Sequence, residues 1–473
     1  MRADGVMMGA RRSAWVLALL VWFSCVWFGS WELNPNNATR LFAAISLVED
    51  GDATIDEFAA LTIDKARFGT HAYLDKAPGT TLMALPAVAL ADGWTGERAG
   101  ALAKRADDPA FTRYLRLRLR LAVAMGAAVL TALAAAALFD LALGLTGSAG
   151  AALFAGLGYG LGSPIWGWST TLFGHAPVAA LYLLALWAVW RAQGRPGLAA
   201  LAGLALGWAV VVEYQAVLAG GVLGLFAVVR FWPAPSRWRL IGALVAGGLV
   251  GLVPLLGYNL LAFGTPFRLG YQGVVGFEGM NQGLFGLTAP SPAVLWEVVF
   301  GTRRGLLWVA PVLVLAPLGL RDLIAVRATR GIGVAAAVAA LVVLLVNAAY
   351  VYWDGGNSTG PRHAMPAVGL LALGLAPFWA GLRTGGARWL AAAVLAGSIG
   401  INAVIAGCDV FAAPWDAWPL HWVMREHLMR GDVTSVASDW WGWPGWTGLA
   451  IWAAVAVPVL AWLMRQAAIT RAP

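Results

Sequence analysis

The chain has 473 residues, of which 60% are hydrophobic and 12% are charged, and its formal net charge is +8. A soluble domain of this composition would expose large apolar patches, so composition excludes an ordinary soluble protein and indicates a membrane protein. The basic residues fall mainly in short loops between apolar stretches, which indicates membrane orientation, and we expect no nucleic-acid partner. The two cysteines, Cys25 and Cys408, have no ligand spacing, so we expect neither a disulfide nor a cysteine metal site.

Apolar segments recur along the whole chain. The first, 13–31, follows Arg2, Arg11 and Arg12 and is too long for a signal peptide, which indicates an uncleaved span with a cytoplasmic N-terminus. A spanning helix needs roughly 20 apolar residues. Further candidate segments are 117–141, 148–166, 172–190, 197–212, 215–229, 240–263, 306–320, 331–351, 365–382, 389–406 and 447–464. We therefore predict an all-α polytopic membrane protein, a single domain over residues 1–473 with about twelve transmembrane helices.

The connections between these segments alternate in character. Short connections with arginines predict cytoplasmic loops, whereas longer ones rich in Gly, Trp, Asn and Asp predict the extracytoplasmic side. The largest predicted extracytoplasmic loops are 32–116, 264–305 and 407–446. Within the first of them, the apolar stretch 79–93 is short and is interrupted by Pro86. Because a crossing there would invert every later loop, we predict an interfacial or re-entrant helix.

The stretch HAYLDKAPGTT, residues 71–81, places an acid and a base at the entry to that helix. Pro78 and Gly79 prevent a helix from running through and predict a turn, so Lys76 should lie where the loop meets the bilayer. Its ammonium is suited to a phosphate on a membrane-embedded lipid. Asp75 is suited to accepting a hydrogen bond, a cation or a proton. The alternative is a surface ion pair of little energetic value.

Three other polar positions stand out against the apolar background. Glu213 lies between two apolar segments, where an acid must face water, protein or a partner, or else end a helix near the headgroups. His175 has the position of an interfacial residue at a predicted helix start. Arg362 and His363 are adjacent donors at the entry to a span, suited either to a lipid phosphate or to simple membrane anchoring.

Several stretches resemble, in order, a bacterial family of C-type membrane glycosyltransferases. This family is related to the dolichyl-phosphate-mannose protein mannosyltransferases, the lipid A aminoarabinose transferases and the rhizobial lipopolysaccharide glycosyltransferases. The resemblance covers roughly residues 30–370 and rests on the first loop with DKAPG, on TLFGHA, on VEYQA, on the stretch beginning GTPFRLGY and on YWDGGNSTGPRHAMPA. Each motif is weak alone, but the five in this order form a specific pattern.

The resemblance implies a multi-span helical bundle whose first external loop has two interfacial helices. It also implies inverting transfer of a hexosyl or pentosyl group from a polyprenyl-phosphate donor to an extracytoplasmic acceptor. That acceptor would be a glycolipid, a cell-envelope glycan or a protein, at the inner membrane of a bacterium. The reaction needs a carboxylate base and cations on the leaving phosphate.

The resemblance also suggests site residues. The candidate catalytic residues are Asp64 and Asp75, with Asp75 in place of the Glu of the EKP motif of the aminoarabinose transferases. The candidate ligands of the donor phosphate are Lys76, Arg304, Arg362 and His363. The candidate contacts to the rest of the substrate are Lys65, His175, Glu213, Tyr271 and Glu278.

One departure from the family leaves the base open. Many relatives have an acid just after the first span, where this chain has Asn36 and Asn37, and an amide cannot act as a general base. The base must then come from elsewhere, with Asp64 preferred over Asp75 and Glu32 a weaker candidate, or the chemistry differs. A divalent metal ion stays open as well, since some relatives use one and this sequence has no obvious ligand set.

Two other functions compete with sugar transfer from a monophosphate donor. A transporter or lipid flippase is disfavoured because the charges gather in the predicted external loops and no internal repeat is present. A glycan polymerase or ligase would use a diphosphate-linked donor, and the DKAPG context disfavours it.

Overall fold

The computed structural model describes residues 2–29 and 34–469, with side chains for residues 8–29 and 34–468. The described chain is predominantly helical with very little strand, which confirms the predicted all-α polytopic membrane class. Its first α-helices are α1 (Arg2–Trp27), α2 (Pro35–Glu49), α3 (Gly79–Thr95), α4 (Pro109–Met125), α5 (Ala127–Thr146), α6 (Ala149–Gly160) and α7 (Ile165–Trp168). Helices α2 and α3 lie in the predicted first external loop, and they pack against each other.

The rest of the chain also consists mainly of α-helices. The middle contains α8 (His175–Arg191), α9 (Pro196–Val212), α10 (Ala216–Phe231), α11 (Arg237–Phe263), α12 (Pro292–Phe300), α13 (Leu306–Val309), α14 (Ala316–Ala325) and α15 (Arg330–Ala349). The last part contains α16 (Met365–Ala372), α17 (Leu375–Gly381), α18 (Gly385–Gly407), α19 (Pro419–Trp422), α20 (Val436–Trp441) and α21 (Gly445–Ile469).

Helix length and apolar composition identify only some of the predicted membrane spans. Among the described residues, six helices are long and apolar enough to cross a membrane, or seven if the bent pair α16–α17 counts as one span. The shorter apolar helices α6, α9 and α10 coincide with further predicted segments. The total of about twelve therefore stays a prediction.

The structure corrects the continuity of three segments. Segment 306–320 is not one helix but α13, a 3₁₀ turn over Pro311–Leu315 and the start of α14. Segment 365–382 is bent by 40° between α16 and α17. Conversely, α3 continues through Pro86 although we expected an interruption there. A proline inside a helix removes one backbone hydrogen bond, and here the rest of the helix forms nonetheless.

A small hairpin links the two helices of the first loop. Strands β1 (Ala66–Phe68) and β2 (His71–Tyr73) pair antiparallel around Gly69, whose φ of 63° suits glycine. Ala66 also forms a bridge to Val274, which attaches the hairpin to the loop before α12. The hairpin ends two residues before Asp75 and therefore positions the Asp-Lys pair.

Helices α9 and α11 pack with their backbones in near contact. A Cβ placed on Gly203 would lie 1.9 Å from the carbonyl oxygen of Leu244, and one on Gly247 would lie 2.0 Å from that of Ala200. Small residues at such crossings are typical of helix packing in membranes. This contact holds the first half of α9, the helix that ends immediately before Glu213.

Candidate active site

A polar cleft lies at the end of the bundle where α9 and α15 end and where α3, α8, α10 and α16 begin. It contains about 830 Å³ of empty space, including its open mouth. The fold brings to this cleft polar residues that are far apart in sequence: Asn36, Arg40, Asp64, Asp75, Lys76, His175, Glu213, Gln215, Tyr271, Tyr350, Tyr352, Asp354, Arg362 and His363.

Lys76 lies between two carboxylates in this cleft. Its Nζ contacts Asp75 Oδ2 closely and is 3.4 Å from Asp64 Oδ2. The Asp75 side chain is 0% exposed and that of Lys76 is 19% exposed, so the pair is not the surface ion pair considered above. The Phe277 ring, whose centroid is 5.8 Å from Nζ, covers another side of the ammonium. The remaining exposed part of Lys76 faces the cleft.

The environment of this cluster changes the acidity of both partners. Burial raises the pKa of the Asp75 carboxyl above its usual range, although the neighbouring Lys76 ammonium opposes this effect. Burial works against the charge on Lys76 as well, but the carboxylates of Asp75 and Asp64 outweigh it and raise the pKa of the ammonium. Asp75 Oδ1 is buried and has no hydrogen-bond partner among the described residues. Lys76 is therefore a firmly cationic group held by an incompletely satisfied acid.

Arg40 on α2 forms the second charged group of the cleft, and it is almost fully buried. Its Nη2 is 3.1 Å from Glu213 Oε1, and its Nε donates to Asn36 Oδ1 at 2.9 Å. Nη1 donates to Thr80 Oγ1 at 2.7 Å and to the Ala77 carbonyl at 3.3 Å. Glu213 thus pairs with a protein group. The sequence had left open whether it faces protein, water, a partner or the headgroups. This network connects α2, the start of α3 and the end of α9.

Asn36 and Asn37 both form hydrogen bonds in the structure. Asn36 accepts the bond from Arg40 and lines the cleft. Asn37 Oδ1 accepts a hydrogen bond of 2.9 Å from the backbone N–H of Leu172, so it supports the connection before α8. Both amides therefore act as structural acceptors.

His175, His363 and Arg362 form a further part of the cleft wall. His175 is the first residue of α8, as predicted, and it is buried. The ring centroids of His175 and His363 are 4.9 Å apart and the rings are nearly perpendicular. The Arg362 guanidinium lies 4.9 Å from the centroid of the Phe173 ring, and its buried Nε has no hydrogen-bond partner within the described part of the chain.

Three predicted site residues do not line this cleft. Lys65 Nζ donates to the carbonyls of Ala59 at 2.5 Å and Thr62 at 3.1 Å, so it closes a turn. Arg304 donates to three backbone carbonyls, at Asp354, Arg303 and Gly356, and burial lowers its pKa to about 10. Glu278 is exposed outside the cleft.

The remaining predictions divide between the cleft and the undescribed part of the chain. Asp64, Asp75, Lys76, His175, Glu213, Tyr271, Arg362 and His363 all line the cleft. Glu32 lies outside the described residues. The sequence analysis overlooked Arg40, Gln215, Tyr350, Tyr352 and Asp354. For Arg40 a signal exists, because it is the only charged residue between Asn34 and Leu47.

The cluster does not fit a divalent metal ion. The Lys76 ammonium lies between the carboxylates of Asp64 and Asp75, so a positive charge already occupies the position where a metal would have to bind. Among the residues that the structure describes, no group of three or more His, Cys, Asp or Glu side chains is placed to hold a metal. We therefore derive no step through a metal ion.

An apolar slot continues from the cleft into the bundle. It shares His175, Glu213, Gln215 and His363 with the cleft and contains about 350 Å³ of empty space, including the open space at its mouth. Its other walls come from α8, α10, α15 and α16, and they are Val178, Tyr182, Ala216, Ala219, Val342, Val343, Val346 and Pro366. A polar cleft that opens into an apolar slot suits a ligand with a charged head and a hydrocarbon tail.

The bundle with a cleft at the end of its helices has the fold of the C-type membrane glycosyltransferases, as comparison with solved structures confirms. ArnT from Cupriavidus metallidurans in the apo state aligns with a TM-score of 0.53 and 17% sequence identity, covering 99% of this chain and 75% of that chain. At this level of identity the likeness shows the fold alone. No protein-family model and no curated protein sequence matches the chain.

Two further solved structures align less well. ArnT from Cupriavidus metallidurans bound to undecaprenyl phosphate has a TM-score of 0.49 and 17% identity, covering 82% of this chain and 63% of that chain. The archaeal oligosaccharyltransferase AglB from Archaeoglobus fulgidus, in complex with an inhibitory peptide and a dolichol-phosphate, has a TM-score of 0.47 and 13% identity, covering 85% and 56%. No argument rests on these two.

Proposed function

We propose that this protein transfers a sugar from a polyprenyl-phosphate donor to an acceptor hydroxyl, with inversion, at the extracytoplasmic face of a bacterial inner membrane. The observation that carries the proposal is Lys76, a cation between two carboxylates in a cleft that opens into an apolar slot. The acceptor class is a glycolipid, a cell-envelope glycan or a protein. The slot would take the first isoprene units of the donor.

The phosphate is assigned to Lys76 with Arg362 as a second cation. Both line the cleft, and the unpartnered Nε of Arg362 needs an acceptor. Cations on the leaving phosphate stabilise the charge that develops as the sugar departs. His363, adjacent to Arg362, is a further donor on the same wall. Arg304 is not part of this assignment because its donors are used by backbone carbonyls.

Asp64 is assigned as the general base. It lines the cleft, and its contact to Lys76 is longer than that of Asp75, which is fully buried and serves to hold the ammonium. In the reaction, the acceptor oxygen forms a bond to C1 of the sugar while the bond from C1 to the phosphate oxygen breaks. The hydroxyl proton passes to Asp64, and polyprenyl phosphate leaves.

Inversion places a constraint on this assignment. The base and the leaving phosphate must lie on opposite sides of the anomeric carbon, whereas Lys76 Nζ and Asp64 Oδ2 are 3.4 Å apart in the structure. Donor binding would therefore draw the ammonium toward the phosphate and release Asp64. Asp75, held next to Lys76 in the chain, would keep its charge partner during this movement.

The test is turnover of the purified protein in lipid nanodiscs with radiolabelled donors and a lipid and glycan extract of bacterial envelopes as the acceptor source. One series of donors carries a polyprenyl monophosphate and the other a polyprenyl diphosphate. We expect release of polyprenyl phosphate from the first series only. Turnover of diphosphate donors alone, or passage of donor across proteoliposomes without cleavage, would replace the proposal with a ligase or a transporter.

A further inference from the structure

A second cavity lies at the opposite end of the bundle from the cleft. It is bounded by the last turn of α8, the connection to α9, the end of α10 and the start of α11. It contains about 760 Å³ of empty space, including its mouth. Because α8 and α10 both begin at the cleft and run for 17 and 16 residues, the two cavities are about 25 Å apart along the helix axes.

Arg230 is the charged residue of this cavity. Its Nε is buried without a hydrogen-bond partner, and no carboxylate of the described chain lies within 4.0 Å of its guanidinium. The nearby Arg191 is different, because its Nη2 is 2.6 Å from Asp140 Oδ1. The Arg230 guanidinium lies 5.1 Å from the centroid of the Trp190 ring. A buried donor without an acceptor is costly, so this geometry favours an acceptor supplied from outside the chain.

The N-terminus of α11 reinforces the positive potential of the same cavity. Ser236 precedes the helix and lines the cavity together with Leu240, and its side chain caps no backbone N–H. Helix α11 is 27 residues long, and the first N–H groups of such a helix carry partial positive charge. The described lining includes Gln193 as a further donor and contains no acid. The cavity therefore offers one uncompensated cation and a helix N-terminus to an anion.

The position of the cavity along the bundle indicates where that anion comes from. Trp232 is 53% exposed and Trp238 is 67% exposed beside the cavity, and their ring centroids are 5.7 Å apart. Leu225 and Val229, on the preceding turns of α10, are exposed apolar residues. Tryptophans at the edge of an apolar surface mark the headgroup level of a bilayer. Basic pockets between helices at this level are suited to lipid phosphates.

We propose that this cavity binds the phosphate headgroup of an anionic phospholipid in the leaflet remote from the cleft, with Arg230 as the principal ligand. The site is independent of the sugar-transfer proposal, because no residue of the cleft takes part. The headgroup phosphate completes the hydrogen bonding of Arg230, and its acyl chains lie against the exposed apolar face of α10. Inorganic phosphate shares the headgroup's chemistry, so the test separates the two sources.

The test is a titration of the detergent-purified full chain with phosphatidylglycerol or phosphatidylcholine, followed by native mass spectrometry of the retained lipid. The variants are Arg230→Gln, Ser236→Asp and the control Arg321→Gln, which removes an exposed arginine of α14 outside the cavity. Ser236→Asp keeps the fold, since aspartate is a favourable residue at a helix N-terminus, yet it places a negative charge against the phosphate. A parallel arm adds inorganic phosphate at millimolar concentration.

We expect one phosphatidylglycerol retained in preference to phosphatidylcholine. Its affinity should fall roughly fivefold or more in Arg230→Gln and in Ser236→Asp, and it should be unchanged in Arg321→Gln. Equal affinity for the two lipids, or equal loss in all three variants, would overturn the site. Displacement of the lipid by inorganic phosphate would overturn the lipid assignment. An unaltered affinity in Ser236→Asp would also contradict the proposal, even if Arg230→Gln failed to fold.

Discussion

Two buried groups of charges meet in the cleft, and they differ in how fully their bonding is satisfied. Arg40 donates to Asn36, Ala77, Thr80 and Glu213, so nearly all of its donors are used within the protein. Lys76 is held by two carboxylates, but Asp75 Oδ1 has no partner and the ammonium is exposed toward the cleft. The satisfied group fastens three helices together, whereas the unsatisfied group has capacity left for a ligand.

The largest effect is expected from Lys76→Ala, because Lys76 takes part in the reaction whereas the Arg40 network supports the fold. We expect Lys76→Ala to lower sugar transfer by at least about 10³-fold, because the leaving phosphate loses its nearest cation. Insertion should be retained, and thermal stability should fall less than in Glu213→Gln, because burial raises the pKa of Asp75 and lets its carboxyl take up a proton once the ammonium is gone. Turnover in nanodiscs measures sugar transfer, and differential scanning fluorimetry measures thermal stability. Lys104→Ala is the matched control, since Lys104 pairs with Glu57 away from the cleft. Turnover of Lys76→Ala equal to that of the control would remove Lys76 from the reaction.

The next effects distinguish the roles of Asp64 and Asp75, the two carboxylates that contact Lys76. We expect Asp64→Asn to lower kcat by about 10²-fold or more while donor affinity is retained, because only the proton acceptor is lost. Asp75→Asn should weaken donor binding as well, because it alters the group that holds Lys76. Steady-state kinetics with varied donor distinguish the two patterns. Full activity of Asp64→Asn would transfer the role of base to Asp75 or to another acid of the cleft.

A third change should affect stability before it affects chemistry. Glu213→Gln leaves the Arg40 guanidinium buried without a counter-charge, and we expect a loss of about 3 kcal/mol in the free energy of unfolding. A lowered midpoint in thermal unfolding measures it. Glu57→Gln, which breaks the more exposed pair with Lys104, should cost under about 1 kcal/mol. Equal midpoints for the two variants would mean that the Arg40 network is not the scaffold we describe.

The pH dependence offers a finer distinction. Burial raises the pKa of Asp75, so its carboxyl accepts a proton at a higher pH than an ordinary aspartate does. If ionised Asp75 holds Lys76 for catalysis, activity should fall as the pH drops through that raised pKa. The acidic limb of kcat/KM should then move in Asp75→Asn, and it should stay in place in Glu57→Gln. An acidic limb that is identical in both would assign the titration to another group.

The smallest effect is expected outside the cleft. Glu278 is exposed and does not line the cleft, so Glu278→Gln should change turnover by less than about twofold, as surface substitutions usually do. A large loss measured in the same assay would place the loop before α12 in contact with substrate. It would also restore Glu278 to the substrate contacts that the sequence alone suggested.

Local patterns explain why part of this site could be predicted from the sequence. Lys76 precedes Pro78 and Gly79, and the chain break that they form is a short-range property, so the entry to α3 was foreseeable. The start of α8 at His175 is of the same kind. The order of motifs also predicted the C-type fold, which the comparison with solved structures confirms.

Long-range pairing explains what the sequence could not reveal. Arg40 and Glu213 are 173 residues apart, and they become partners because α2 and the end of α9 both pack against α3. Arg304 has a side chain of the type that binds phosphate. Its N–H groups nevertheless donate to the carbonyls of Asp354 and Gly356, which lie 50 and 52 positions later in the sequence. Charge type is visible in a sequence, but whether a charge is already satisfied depends on the folded chain.

The most direct test of the central claim is a cryo-electron microscopy structure of the protein in nanodiscs with polyprenyl phosphate bound. We predict a phosphate oxygen within about 3 Å of Lys76 Nζ and the first isoprene units in the slot between α8, α10 and α15. Arg40 should keep its bonds to Asn36 and Glu213 in that complex. A phosphate bound elsewhere, with Lys76 still enclosed between Asp64 and Asp75, would contradict the account.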